Sequence, residues 1–202
     1  MTTLSSAVNP RSANPWIPAF AYGLSTLVFL WGTGGGSWDV ALPRLGGMGA
    51  LALALAYGFF ALLRQPERLR GRPGSFALGL GVGLAAFLPV LVLSYLIRHT
   101  GFAWQPDLPR PNVTQALVAA LFAAPAIEII GRGLLQPAWG LGSVAFLDAL
   151  TFGFGTQNFA VFLATWALSY TTGHLERRFG LFAAIVARVT WTLLVLLTLG
   201  LI

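Results

Sequence analysis

Four ionisable residues interrupt stretches of this chain that are otherwise apolar: Glu128, Arg132, Asp148 and Arg188. Glu128 and Arg132 lie four residues apart in PAIEIIGRGLLQP and so share one face of a helix formed there. Two neighbouring carboxylates can hold and activate a water as acid and base, and nearby guanidiniums can stabilise a developing oxyanion. The same groups can instead close into a neutral network of two ion pairs, with Asp148 simply neutralising Arg188. Asp148 stands one helical turn before Phe152 and Thr156 one turn after it, so one helix face carries all three. The candidate site is therefore Glu128, Arg132, Asp148, Thr156 and Arg188.

Other chemistry finds little support. His174, beside Glu176, falls at the end of an apolar run and reads as a solvated interfacial residue, while His99 lies on the opposite side. Without Cys, and with only carboxylates and hydroxyls near the charges, the donor set is sparse for zinc. GTGGGS at 32–37 lacks the Lys-Ser/Thr ending of a phosphate loop and reads as a flexible turn. No cofactor and no metal is implied.

The elements that must position these residues follow from composition. The chain is 56% hydrophobic and 9% charged, against roughly 25% charged for a soluble domain, which points to a polytopic membrane protein. A bilayer core takes about 20 mainly apolar residues per helix. Spans are expected at about 16–34, 46–63, 76–97, 113–131, 141–155, 157–175 and 180–201, an all-α bundle of about seven transmembrane helices. Residues 1–15 form a polar leader without a basic segment, 16–112 the first spans and an outer loop, and 113–202 the core. A charge at the bilayer centre costs ~2.5–3.5 kcal/mol, so the four charges in the later spans demand partners. Gly131, Gly133, Gly153, Gly155, Ala183 and Ala184 surround them and suit close helix packing.

The net charge of +6 comes from twelve arginines, no lysine and six acids. Most arginines sit between apolar runs, so orientation in a membrane explains them better than nucleic acid does. Arg64, Arg68, Arg70 and Arg72 share one loop, and Arg177 and Arg178 another on the same side. Placing these in the cytoplasm puts the N-terminus there too.

APAIEIIGRGLLQP resembles the first motif of the CPBP family, the CAAX-protease-like (Abi) intramembrane endopeptidases, in which two glutamates are followed by an arginine. Ile127 and Glu128 occupy the paired-acid positions and Arg132 the arginine, with Gly133, Leu134 and Gln136 following as in the family. ALTFGFGTQNF is similar to the FxxxH motif through Phe152 and Gly153, with Thr156 where the histidine stands. LERRFGLFAAIVARVTWT is similar to the last motif, with Arg188 and Thr192 at its histidine and its Asn/Asp. The likeness covers roughly residues 115–195, the family's four-helix core.

The resemblance implies a helical cavity where the first glutamate and the second motif's histidine activate water, with later polar residues at the oxyanion. Ile127 cannot accept a proton, and the Thr156 hydroxyl is a poor base. Arg188 stays protonated but can donate hydrogen bonds. The expectation is a homologue that has lost most catalytic residues, in a bacterial cytoplasmic membrane, binding an apolar or lipidated chain or a membrane-protein partner. Two alternatives stand beside it. One is an active, altered endopeptidase using Glu128 and Asp148; the other is a structural or assembly subunit of a larger membrane complex.

Overall fold

The computed structural model describes residues 69–99, 113–156 and 159–198, together with Ala54 and Gly58. The leader, the expected span at 16–34, nearly all of the one at 46–63 and the outer loop after residue 99 lie outside the described residues. Every regular element among the described residues is helical. Helix α1 is Ser75–His99. One continuous helical rod then runs from residue 113 to 139 as α2 (Val113–Val118), a π-helical stretch π1 (Ala119–Ala123), α3 (Ala124–Glu128), a second such stretch π2 (Ile129–Leu135) and α4 (Gln136–Trp139). Three further helices follow: α5 (Leu141–Thr156), α6 (Phe159–Phe179) and α7 (Leu181–Thr198).

The rod outruns the expected 113–131, and the reason lies in its prolines and glycine. Pro125 and Pro137 each occupy the first turn of an α-segment, and a π-stretch ends just before each. A proline lacks the N–H that would close a four-residue bond, and a widened turn re-registers the backbone without ending the helix. The Gln136 N–H accordingly donates five residues back, to the Gly131 carbonyl. The rod stops at Gly140, whose φ of 81° reverses the chain before α5. Gly180, at φ 93°, does the same between α6 and α7, its N–H donating to the Glu176 carbonyl at 2.9 Å. Such left-handed backbone is open to glycine at little strain, so single residues suffice as connections.

Helix α1 lies along α7 and also touches α6; α5 lies along α6, and α3 and α6 pack on α7. The backbones of α1 and α7 approach closely. A Cβ on Gly79 would lie 2.6 Å from the Ala183 carbonyl oxygen, and one on Gly83 2.6 Å from that of Ala187. These glycines, one turn apart, let the two backbones meet. Further along, Phe87 and Val90 of α1 pack with Ala164, Leu168, Trp191 and Val195. A second cluster, Ile129, Ile130, Leu134, Leu135, Val144 and Leu181, closes the rod against α5 and α7. All seven residues of π2 are buried, so the rod is the bundle's central helix there.

Helices α1, through Ser75–Leu93, and α7 are long and apolar enough to cross a membrane; the apolar part of α5, Leu141–Leu150, is shorter. Within that stretch α1 buries only 22% of its residues. Large apolar side chains such as Phe76, Leu88 and Val92 stand on its outside.

Candidate functional site

The rod, α5, α6 and α7 each send polar side chains into one enclosed point. Glu128 closes α3, Arg132 is central in π2, Asp148 is midway along α5 and Arg188 midway along α7. All four are buried, at 0–1% exposure, which rules out solvation by bulk water as their source of stability. They stabilise one another instead. Arg132 Nε stands 3.4 Å from Glu128 Oε2, and Arg132 Nη2 2.9 Å from Asp148 Oδ2. Arg188 Nε is 3.1 Å from Glu128 Oε1, and its Nη2 2.7 Å from Asp148 Oδ2. Each acid touches both bases and each base both acids, so the four charges form a closed, neutral ring.

Hydroxyls and an amide complete it. Ser169 Oγ donates to Asp148 Oδ2 at 2.6 Å and accepts from Arg188 Nη2 at 3.1 Å. Asp148 Oδ2 thus receives three donors. Thr172 Oγ1 lies 3.3 Å from Glu128 Oε1 and 3.2 Å from the Ser169 carbonyl. Gln136 receives a bond from Arg132 Nη1 at 3.4 Å, and its Nε2 donates to the Gly173 carbonyl at 3.3 Å and to Glu176 Oε2 at 3.5 Å. A polar track therefore runs from the ring to Glu176, near the end of α6. Gly173 makes room for it, since a Cβ there would overlap Leu141 and come within 2.6 Å of Gln136 Oε1.

Of the five residues expected at the site, the structure joins Glu128, Arg132, Asp148 and Arg188. Thr156 is the last residue of α5, two turns beyond Asp148, and its side chain lies outside the described residues. Asp148 does contact Arg188, at 2.7 Å, but it also contacts Arg132 at 2.9 Å, so it does more than neutralise Arg188. Ile127 is half-buried beside Glu128, and Thr192 is buried one turn after Arg188. His174 is exposed, stacked edge-on against Tyr170 with ring centroids 4.9 Å apart, away from the ring. Among the described residues, no three of His, Cys, Asp and Glu come together as metal ligands.

Ser169, Thr172 and Gln136 were not among the expected site residues. A signal was present for two of them: Thr165, Ser169, Thr172 and Glu176 recur at helical spacing along one side of α6, in a helix otherwise rich in apolar residues. Of the expected small residues, Ala183 and Ala184 are fully buried, while Gly131 has only ordinary contact with Val144. Close approach is needed instead at Gly79, Gly83 and Gly173. Compared with protein-family models, curated proteins and solved structures, the chain matches none of them.

Proposed function

We propose that this chain is a polytopic membrane bundle of about seven transmembrane helices with a CAAX-protease-like core and no working peptidase centre. Its N-terminus lies in the cytoplasm of a bacterial cell, and it serves as a non-catalytic membrane protein that holds an apolar or lipidated chain or a membrane-protein partner. The bilayer placement is supported by the length of α1 and α7 and by the apolar side chains that α1 turns outward.

The closed charge ring is the observation that carries the loss of chemistry. A hydrolytic centre needs a carboxylate oxygen directed at a water that faces the substrate. Here Glu128 Oε1 and Oε2 each face a guanidinium nitrogen within 3.4 Å, and Asp148 Oδ2 is taken by Arg132, Arg188 and Ser169. Asp148 Oδ2 is committed to cohesion between the rod, α5, α6 and α7, and Glu128 is held by ion pairs to both arginines, although its Oε2 accepts no hydrogen bond. This favours the non-catalytic reading over an altered peptidase using Glu128 and Asp148.

The test is a cleavage assay with transmembrane and prenylated reporter peptides on protein reconstituted in lipid. We expect no cleavage by the wild type and no change in Glu128→Gln. Cleavage that disappears in Glu128→Gln would overturn the proposal. Photo-crosslinkers placed on the apolar faces should capture a lipidated chain or a membrane partner.

A further inference from the structure

The exposed arginines among the described residues gather at one end of the bundle. Arg70 and Arg72 lead into α1, and Arg177 and Arg178 close α6. The two segments are fixed to each other. Arg72 Nη1 donates to the Arg178 carbonyl at 2.9 Å, and Ser75 Oγ donates to the Phe179 carbonyl at 3.2 Å. The Arg72 N–H in turn donates to Ser75 Oγ at 2.9 Å. Gly71 is pressed against Phe182, where a Cβ would lie 2.8 Å from the ring. Among the described residues the acid nearest this end, Glu176, accepts a bond from Gln136 on the inner side, and the side chains of Arg70, Arg72, Arg177 and Arg178 are exposed.

An apolar band starts at this patch. Phe76, Leu80, Leu84, Leu88, Val92 and Leu96 follow one another at four-residue spacing and are 38–62% exposed. At ~1.5 Å per residue the band is about 30 Å long, the thickness of a bilayer's hydrocarbon core. The opposite side of α1 is the one closed on α7 through Gly79 and Gly83.

We propose that this end of the bundle is a binding site for anionic phospholipid. The phosphate sits on Arg70, Arg72, Arg177 and Arg178, and the acyl chains lie along the outer band of α1. Guanidiniums bind phosphate through paired N–H groups, and Arg72, already held by the Arg178 carbonyl, loses little freedom on binding. A zwitterionic headgroup carries no net negative charge for the arginines to attract, so the site selects lipids of net negative charge. The inference rests on the bilayer placement of α1 proposed above and is independent of the peptidase kinship.

The experiment reconstitutes the full chain with equimolar phosphatidylcholine and phosphatidylglycerol and weighs the retained lipid by native mass spectrometry. The wild type should retain phosphatidylglycerol in clear excess. The Arg70→Gln, Arg177→Gln, Arg178→Gln variant should lose that excess, by about fivefold for each charge removed. Its fold is protected because Arg72 bonds the carbonyl of residue 178 and not its side chain. The matching triple lysine variant should keep the preference. Equal retention of both lipids by the wild type, or an excess unchanged in the glutamine variant, overturns the proposal. Failure of the wild type to enter a bilayer of either lipid overturns the membrane placement with it.

Discussion

Removing one charge from the ring should destabilise the bundle severely, and removing an opposite pair should cost less than the two single changes summed. Glu128→Gln leaves Arg132 and Arg188 facing Asp148 alone, one positive charge in excess at a fully buried point. Arg188→Met leaves one negative charge in excess. Breaking a buried pair by deleting one partner costs ~3–5 kcal/mol, because the surviving charge is stranded without water. Two independent losses would total ~6–10 kcal/mol on that basis. The double variant is neutral again and keeps the pair of Arg132 with Asp148 at 2.9 Å, so a coupling of about 2–3 kcal/mol should offset the sum. Unfolding free energies in micelles, measured for wild type, both singles and the double, close the cycle. Additive costs would refute the closed ring. A Glu128→Gln protein more stable than wild type would refute the cohesive role altogether, since relief on neutralisation is the mark of a strained functional site.

Asp148→Asn should cost more than Glu128→Gln by the same measurement, because Asp148 Oδ2 accepts three donors within 2.9 Å while the contacts of Glu128 begin at 3.1 Å. The Glu128→Gln deficit should persist at about 1 M salt, where the screening length falls to ~3 Å, because ions do not enter a buried ring; equal stabilities at high salt would show that the ring is open to solvent. Gly79→Ala and Gly83→Ala should each destabilise by ~1–3 kcal/mol through overpacking on α7, whereas Gly81→Ala, with open space around its Cβ position, should be neutral or slightly stabilising. Equal effects at all three glycines would break the packing argument. Gln136→Ala should cost ~1–3 kcal/mol by leaving polar groups of Arg132 and the Gly173 carbonyl short of partners, read from the same unfolding curves.

Hydropathy made the later helices legible because each carries a long apolar run between clear breaks. The expected 141–155, 157–175 and 180–201 match α5, α6 and α7 within a few residues at most ends. The central rod is expected to end at 131 because the apolar run stops at Arg132, although the four-residue spacing already pairs that residue with Glu128. Its cost is removed by Glu128 and Asp148, the second of them on another helix, and no window along the chain contains that information. The π-stretches were illegible for a related reason: hydropathy reports that a helix is apolar but not how its backbone absorbs Pro125 and Pro137, which it does here by widening. The ring's acids and bases could be named from their types alone. Of their supports, Ser169 and Thr172 show only as a polar stripe on α6 that names no partner, and Gln136 is an ordinary residue until the fold brings it within bonding reach of Arg132.

Charge counting also decides how the proposed loss of chemistry should be reversed. In the resemblance, Ile127, Thr156 and Arg188 stand where the endopeptidases carry an acid and two histidines. Restoring all three would add an acid through Ile127→Glu and delete a cation through Arg188→His. Glu128 and Asp148 would remain with Arg132 as their one guanidinium in a place with no solvent, and a third acid would stand beside them on the half-buried position 127. Such an excess of negative charge must take up protons or open the bundle. Arg188 is therefore the residue that holds Glu128 and Asp148 in a neutral core, contacting both at 3.1 and 2.7 Å. The productive reversal keeps it: Ile127→Glu with Thr156→His adds the missing acid and base, and position 127 is half-buried rather than enclosed like the ring. We expect that double variant to unfold within about 3 kcal/mol of wild type and the triple to lose more, by the penalty for a stranded charge. Peptidase activity in the double variant would show the helical scaffold intact; equal stability of double and triple variants would refute Arg188 as the neutralising residue.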